Sequence, residues 1–266
     1  MKKLLKIISV ATITSCTAMT SLADSLQSVV SGDHRTEKNV TRDVYRNPQE
    51  TLMFFGITEE MTVIENWPGG GWYTEILAAY LKDKGNYIAA TYNRNPDTQK
   101  SWQARLNKKF DETFTANKET YGNIRVVSFA PGSDKELTMP GTVDAILDFR
   151  NAHNWIKSAA AEVPGTWYTA LKKGGIVGIV DHRMDDNKPY IPANGYVHEA
   201  QIIEIMEKQG FKFVDKSDIN SNPRDTKDHP KGVWTLPPTL AEKDANRNKY
   251  LAIGESDRMV MKFMKP

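Results

Sequence analysis

Cysteine is almost missing from this sequence: one residue in 266, Cys16. The rest of the chain can therefore form no disulfide, no thiolate metal site and no cysteine nucleophile, and must be held by an ordinary hydrophobic core. Long apolar runs are missing too. None reaches the roughly 20 residues that a membrane-spanning helix needs. Charge of one sign is nowhere concentrated: 35 Lys and Arg face 33 Asp and Glu, a balance of +2. No block of like charge is long enough to grip a polyanion, which argues against a nucleic-acid partner. Internal repeats, low-complexity tracts and glycine- and serine-rich linkers are absent as well, so nothing marks a boundary between domains.

The amino terminus has the three parts of a secretion signal. Lys2, Lys3 and Lys6 make a basic start, an apolar stretch runs from Leu4 to Met19, and Ser21-Leu22-Ala23 supplies small residues before Asp24. The expectation is a signal peptide over 1–23, a single mature domain over 24–266, and export to the periplasm. Those first residues hold three lysines and no acid, so the mature balance is about −1. Ile13-Thr14-Ser15-Cys16 resembles the box at which bacterial lipoproteins are cleaved and lipidated. A lipid anchor at Cys16 is therefore the alternative to a free periplasmic protein.

After a polar lead-in from Asp24 to Glu50, apolar runs alternate with helical patterns. Asn47-Pro48 predicts a helix through Phe55, closed by Gly56. Strands are expected at Met61 to Trp67, Asn86 to Tyr92, Ile124 to Phe129, Val143 to Phe149, Ile176 to Asp181, Phe211 to Val214 and Arg258 to Phe263. Helices are expected at Trp72 to Leu81, with Leu77 and Leu81 facing the core, at Thr98 to Thr120, at Trp155 to Lys173 with a break at Pro164-Gly165, and at Val197 to Gln209. Lys216 to Tyr250 reads as a long ordered loop anchored by Trp234 and Leu236. Strands without inside-outside alternation, separated by helices, predict a doubly wound, mostly parallel α/β sheet.

Pro68-Gly69-Gly70-Gly71 lies between the first strand and the first helix of that sheet. A glycine-rich turn there lets a ligand approach the backbone and the helix N-terminus. The alternative is a bare tight turn. If the turn binds a ligand, Gly71→Val is expected to weaken binding with little loss of folding.

VIENWPGGGWYTEIL resembles the first motif of class I S-adenosylmethionine-dependent methyltransferases, with Glu65 as the strand-end acid and Gly69 and Gly71 as two of the glycines. DFRNAHNW, VDHR, NPRDTKDHP, GVWTLPP and IGESDRMVMKF are similar to segments of a bacterial group of exported predicted methyltransferases, and the resemblance covers nearly all of the mature chain. It implies a seven-stranded Rossmann-like sheet, S-adenosylmethionine as cofactor, and cofactor contacts from Glu65, Gly69, Gly70, Gly71, Tyr92 and Asn93. Two departures stand out. Trp67 occupies the place of the motif's first glycine, and Ala90-Thr91-Tyr92-Asn93 lacks the acid that normally takes the ribose hydroxyls.

Ligands of doubly wound sheets sit at the carboxyl ends of the strands. Arg150, Asn151 and His153 follow the fourth strand, and Asp181 and His182 end the fifth. These five are the candidate catalytic residues: a histidine to deprotonate an acceptor and an arginine to hold an anion. The leading expectation is a cell-envelope methyltransferase acting on a small molecule. The alternatives are a noncatalytic binding protein on the same fold and a metal-dependent hydrolase using Asp181, His182, His153 and His229, for which no recognised ligand spacing speaks.

Overall fold

The computed structural model describes residues 23–131, 137 and 139–266. The expected signal, apart from Ala23, and Cys16 lie outside the described residues. Seven strands form one sheet: β1 (Thr62–Asn66), β2 (Asn86–Thr91), β3 (Arg125–Ser128), β4 (Val143–Phe149), β5 (Leu171–His182), β6 (Lys212–Ser217) and β7 (Arg258–Met264). Their order is β3-β2-β1-β4-β5-β7-β6. Pairings from β3 through β5 are parallel, and β7 runs antiparallel to both β5 and β6.

The central strands are apolar on both faces because both faces are covered. Ile64, Ile88, Ile146 and Ile179 enter one core with Trp155 and Trp167. Their neighbours Val63, Ala89, Leu147 and Val180 enter the other, with Leu52, Phe55, Leu77 and Leu81. Among the helices flanking the sheet are α1 (Pro48–Phe55), α2 (Thr74–Leu81), α3 (Ser101–Phe110), α4 (Glu162–Ala170), α5 (Glu199–Lys208) and α6 (Arg247–Ile253). α1 begins with proline in its first turn and ends at Gly56 at φ 76°, as its punctuation predicts. No described helix is long and apolar enough to cross a membrane.

Several expectations are corrected. The polar lead-in is part of the fold: residues 23–30 are helical, and Leu26 and Val30 enter the second core. Arg35 is buried because both of its terminal nitrogens bond Asp43, at 2.6 and 2.9 Å. The expected 98–120 helix stops at Phe110, passes through a π-helical turn over Asp111–Thr115 and resumes only at Lys118–Tyr121. That turn lets Phe110 and Phe114 pack with centroids 5.0 Å apart. Pro164 does not break α4, since it falls in the first turn, where the missing N–H costs nothing. β6 extends to Ser217 and α6 takes the end of the long loop.

Glu65 of β1 lies inside the second layer, where its carboxylate accepts from the Thr74 and Tyr87 hydroxyls at 2.9 and 2.5 Å. Burial pushes it up to about 7, against the pull of those two donors. The folded state thus keeps a proton that the unfolded chain releases above the ordinary carboxylate range, so this contribution is whole near pH 4 and is lost as pH rises through 7. Denaturant unfolding at pH 5 and pH 8 should show lower stability at the higher pH. Glu65→Gln should remove up to about 3 kcal/mol of that difference, and an unchanged pH slope would contradict the assignment.

Candidate functional site

The chain leaves β1 toward β2 and leaves β4 toward β5, so a crevice opens at the carboxyl ends of this neighbouring pair. Asn66 and Asp148 face each other in register there. The Asn66 amide donates to Asp148 at 2.7 Å, the Trp155 indole donates to the same carboxyl at 3.0 Å, and burial raises that carboxyl to about 7. Asn151 donates to the Asn66 carbonyl at 3.0 Å. Its amide nitrogen is therefore committed to tying β1 to β4, while the residue borders the cavity above. Both strands then turn through left-handed backbone at residues that are not glycine: Trp67 at φ 43° and Arg150 at φ 62°. Such conformations cost on the order of 1–3 kcal/mol each and gather at functional sites.

A cavity of about 670 Å³ opens above this point, bordered by Gly69, Gly70, Arg150, His153, His182 and, from the long loop, Trp234. The turn and the rim of expected catalytic residues thus share one space. His153 and Asp181 form a dyad. The imidazole Nδ1 lies 2.9 Å from Asp181 Oδ1, and the backbone N–H groups of His153 and His182 donate to the same carboxylate at 2.9 and 2.7 Å. A carboxylate accepts only, so Nδ1 carries a proton, and in the neutral ring Nε2 has a free lone pair. His182 Nδ1 bonds Ser256 Oγ at 2.5 Å, and its ring lies 5.4 Å from that of His153. Burial, then the charges of His153, Arg258 and Arg150, hold His182 well below the ordinary histidine range, so it stays neutral.

The atoms of His153, Asp181 and His182 lie within 4.8 Å of one another, close enough to hold a cation. His153 Nδ1 and the Asp181 carboxylate already bond each other. His229 is elsewhere, bonded to Asp225 at 2.8 Å, which removes the fourth expected ligand.

No family model matches the chain, and no curated protein matches it in sequence. Solved structures do. An S-adenosylmethionine-dependent methyltransferase from Aquifex aeolicus superposes with a TM-score of 0.56 at 17% identity, over 85% of this chain and 93% of the other. The [4+2]-cyclase SpnF gives 0.55 at 13%, over 94% and 95%. Aeropyrum pernix fibrillarin, in complex with S-adenosylmethionine, gives 0.50 at 11%, over 84% and 76%. The chain has the class I methyltransferase fold.

The glycine turn and the end of β2 both border the larger cavity. A Cβ added at Gly70 would meet nothing within 4 Å, and one at Gly69 would meet only the Trp67 carbonyl at 3.9 Å, so the outer edge of the turn is an open cradle on the cavity. A second cavity of about 660 Å³ adjoins β2 and β3 and offers the aromatic faces of Tyr92, Trp102 and Phe129. Turn and aromatic walls fit S-adenosylmethionine. Three of the expected cofactor contacts sit differently from the turn's open edge. Glu65 borders neither cavity and supports the turn from below through Thr74. Gly71 is buried under Phe114 and borders neither cavity. Asn93 borders the second cavity but uses its side chain on its own loop, donating to Thr98 at 3.0 Å and accepting from the Asn95 N–H at 2.9 Å. Tyr92 remains, on the border of both cavities.

Trp67 also borders both. Its indole stacks against Tyr92 at 6.0 Å and Phe129 at 5.9 Å, and donates to the Phe129 carbonyl at 2.8 Å. Here the missing glycine is resolved: the backbone keeps a glycine-like conformation while the side chain swings over the ends of β2 and β3. Arg42 and Arg258, also bordering the cavity, and Ser256, behind His182, escaped the sequence reading. For Ser256 and Arg258 the signal was the charged ESDR run before β7, and Arg42 had none.

Proposed function

We propose that the protein is an S-adenosylmethionine-dependent methyltransferase of the cell envelope acting on a small molecule, with His153 as general base. One observation carries this: the Asp181-oriented His153 and the open Gly69–Gly70 edge border the same cavity. The cofactor, when bound, supplies an electrophilic methyl group. Gly69 and Gly70 would hold its amino-acid end, with Tyr92 and Phe129 beside its base. His153 Nε2 takes the proton from the acceptor nucleophile, and Asp181 stabilises the imidazolium that results. His182, kept neutral, adds no repulsion to that charge. Trp234, closing the cavity from the long loop, excludes water. Export rests on the signal-like residues 1–23, with the mature domain beginning near Asp24 and Cys16 lipidation as the alternative. The intact mass of the protein from its native cells distinguishes them.

Trp67 supports a second reading, a noncatalytic binding protein whose donor site the indole has closed. Calorimetric titration with S-adenosylmethionine and S-adenosylhomocysteine separates the two. On the methyltransferase reading, Trp67 walls the donor site and its π face favours the sulfonium. Trp67→Gly should then weaken S-adenosylmethionine binding about 10-fold, in line with about 1–2 kcal/mol of cation–π attraction. Tighter binding of both ligands by the glycine variant would overturn this role and put the noncatalytic reading first.

A further inference from the structure

Four guanidinium groups, of Arg42, Arg46, Arg150 and Arg258, gather at the floor of the larger cavity around one carboxylate, Glu255. Arg42 donates to it at 2.5 Å, Arg46 at 3.2 Å, and Arg258 more closely still. Among the described residues Arg150 pairs with no carboxylate. Against Glu255 the cluster carries an excess of three positive charges, with Arg46 and Arg258 buried and Arg42 and Arg150 half-buried beside the cavity. Its strain is legible in the side chains. Glu255 is held far below the ordinary carboxylate range, with the guanidinium groups outweighing its burial. Arg150 is pushed down to about 10 by burial and by Arg258. Buried nitrogens of Arg42, Arg46 and Arg258 have no hydrogen-bond partner. A buried charge without a partner is costly, so such a cluster is complete only with an anion in it.

Arg42, Arg150 and Arg258 border the cavity, while Arg46 stands behind them against the Trp72 ring at 4.5 Å. We propose that the ligand of this cavity carries a dianionic phosphoryl group, as a phosphate monoester does, seated between Arg42, Arg150 and Arg258. A single carboxylate would leave two positive charges unmet. A phosphoryl group has three oxygens for three forked donors and enough charge to offset most of the excess. Lys38 and Lys109, also bordering the cavity, draw an anion in from solution. The proposal gives the methyl acceptor its chemical class and rests on the transfer reading for the word acceptor. The anion site itself rests on the arginines.

The test is titration of the mature chain with inorganic phosphate, malonate and chloride at constant ionic strength, followed by calorimetry and by melting temperature. Saturable phosphate binding that raises the melting temperature is expected, because a ligand of the folded state alone stabilises it. Arg150→Gln should weaken phosphate binding about 10- to 100-fold, as loss of charge-assisted hydrogen bonds does. Its own melting temperature should not fall, since it removes a half-buried cation that pairs with no carboxylate among the described residues. Arg150→Lys, which keeps the charge and loses the fork, should lie between. Phosphate acting no better than chloride, malonate binding more tightly than phosphate, or an Arg150→Gln variant with native affinity would each overturn the proposal. Phosphate binding with no methyl transfer would support the anion site and count only against the transfer reading.

Discussion

Valine at Gly71 is expected to destabilise the protein by about 3 kcal/mol or more and to lower its melting temperature by roughly 10 °C. Gly71 is the third glycine of the turn and sits at φ 78°, where a side chain on an L residue crowds its own backbone. A Cβ there would also lie 2.2 Å from two ring atoms of Phe114. That ring cannot step aside, because it is buried between Phe110, at 5.0 Å, and Tyr121, at 5.1 Å. The π-helical turn that seats Phe114 is thus what closes the floor beneath the glycines. This reverses the sequence-based expectation that Gly71→Val loses ligand and keeps its fold. Gly70→Ala is the control: its Cβ meets open space, so its stability should barely change. Thermal melts of both variants decide the matter. A native melting temperature for Gly71→Val would contradict the packing argument.

Why the turn could be found by reading and its third glycine misjudged is a matter of distance along the chain. Pro68 to Gly71 stands out because strand, turn and helix are consecutive, and β1, β2 and β4 show as apolar runs because both of their faces are buried. Phe114 meets Gly71 from 43 positions away through a helix whose irregularity no periodicity announces. The lead-in misled for a related reason. Its arginines make it look solvated, yet Arg46 is 4% exposed, buried by pairing with Glu255 more than 200 residues on. Edge strand β6 was cut short because Lys212, Asp215 and Lys216 face water and break the apolar run. Of the expected catalytic residues, His153, Asp181, His182 and Arg150 do converge, since all follow or end adjacent parallel strands whose carboxyl ends share one edge. Arg42 and Arg258 join them only through the fold.

His153→Ala should slow methyl transfer by about 10²- to 10⁴-fold, the usual contribution of a positioned general base. The fold should survive. Asp181 keeps the backbone N–H groups of residues 153 and 182 as donors when the ring is gone, so its carboxylate is not left unpartnered. The side chain removed lies on the cavity wall, where water can take its place. Phosphate affinity should stay within a few-fold of native, because the guanidinium groups are untouched. The readout is release of S-adenosylhomocysteine when the protein is given S-adenosylmethionine and a fraction of small phosphorylated molecules from its native cells. Free imidazole should restore part of the rate to His153→Ala by occupying the vacated space, a rescue that lost packing alone would not give. Asp181→Asn should impair the rate as well, and for a different reason. An amide nitrogen would face a backbone N–H or the imidazole Nδ1–H, turning the ring that the carboxylate now orients. A His153→Ala variant that transfers methyl at the native rate would remove the dyad from the chemistry, and the cavity would then be a binding site for an anion alone.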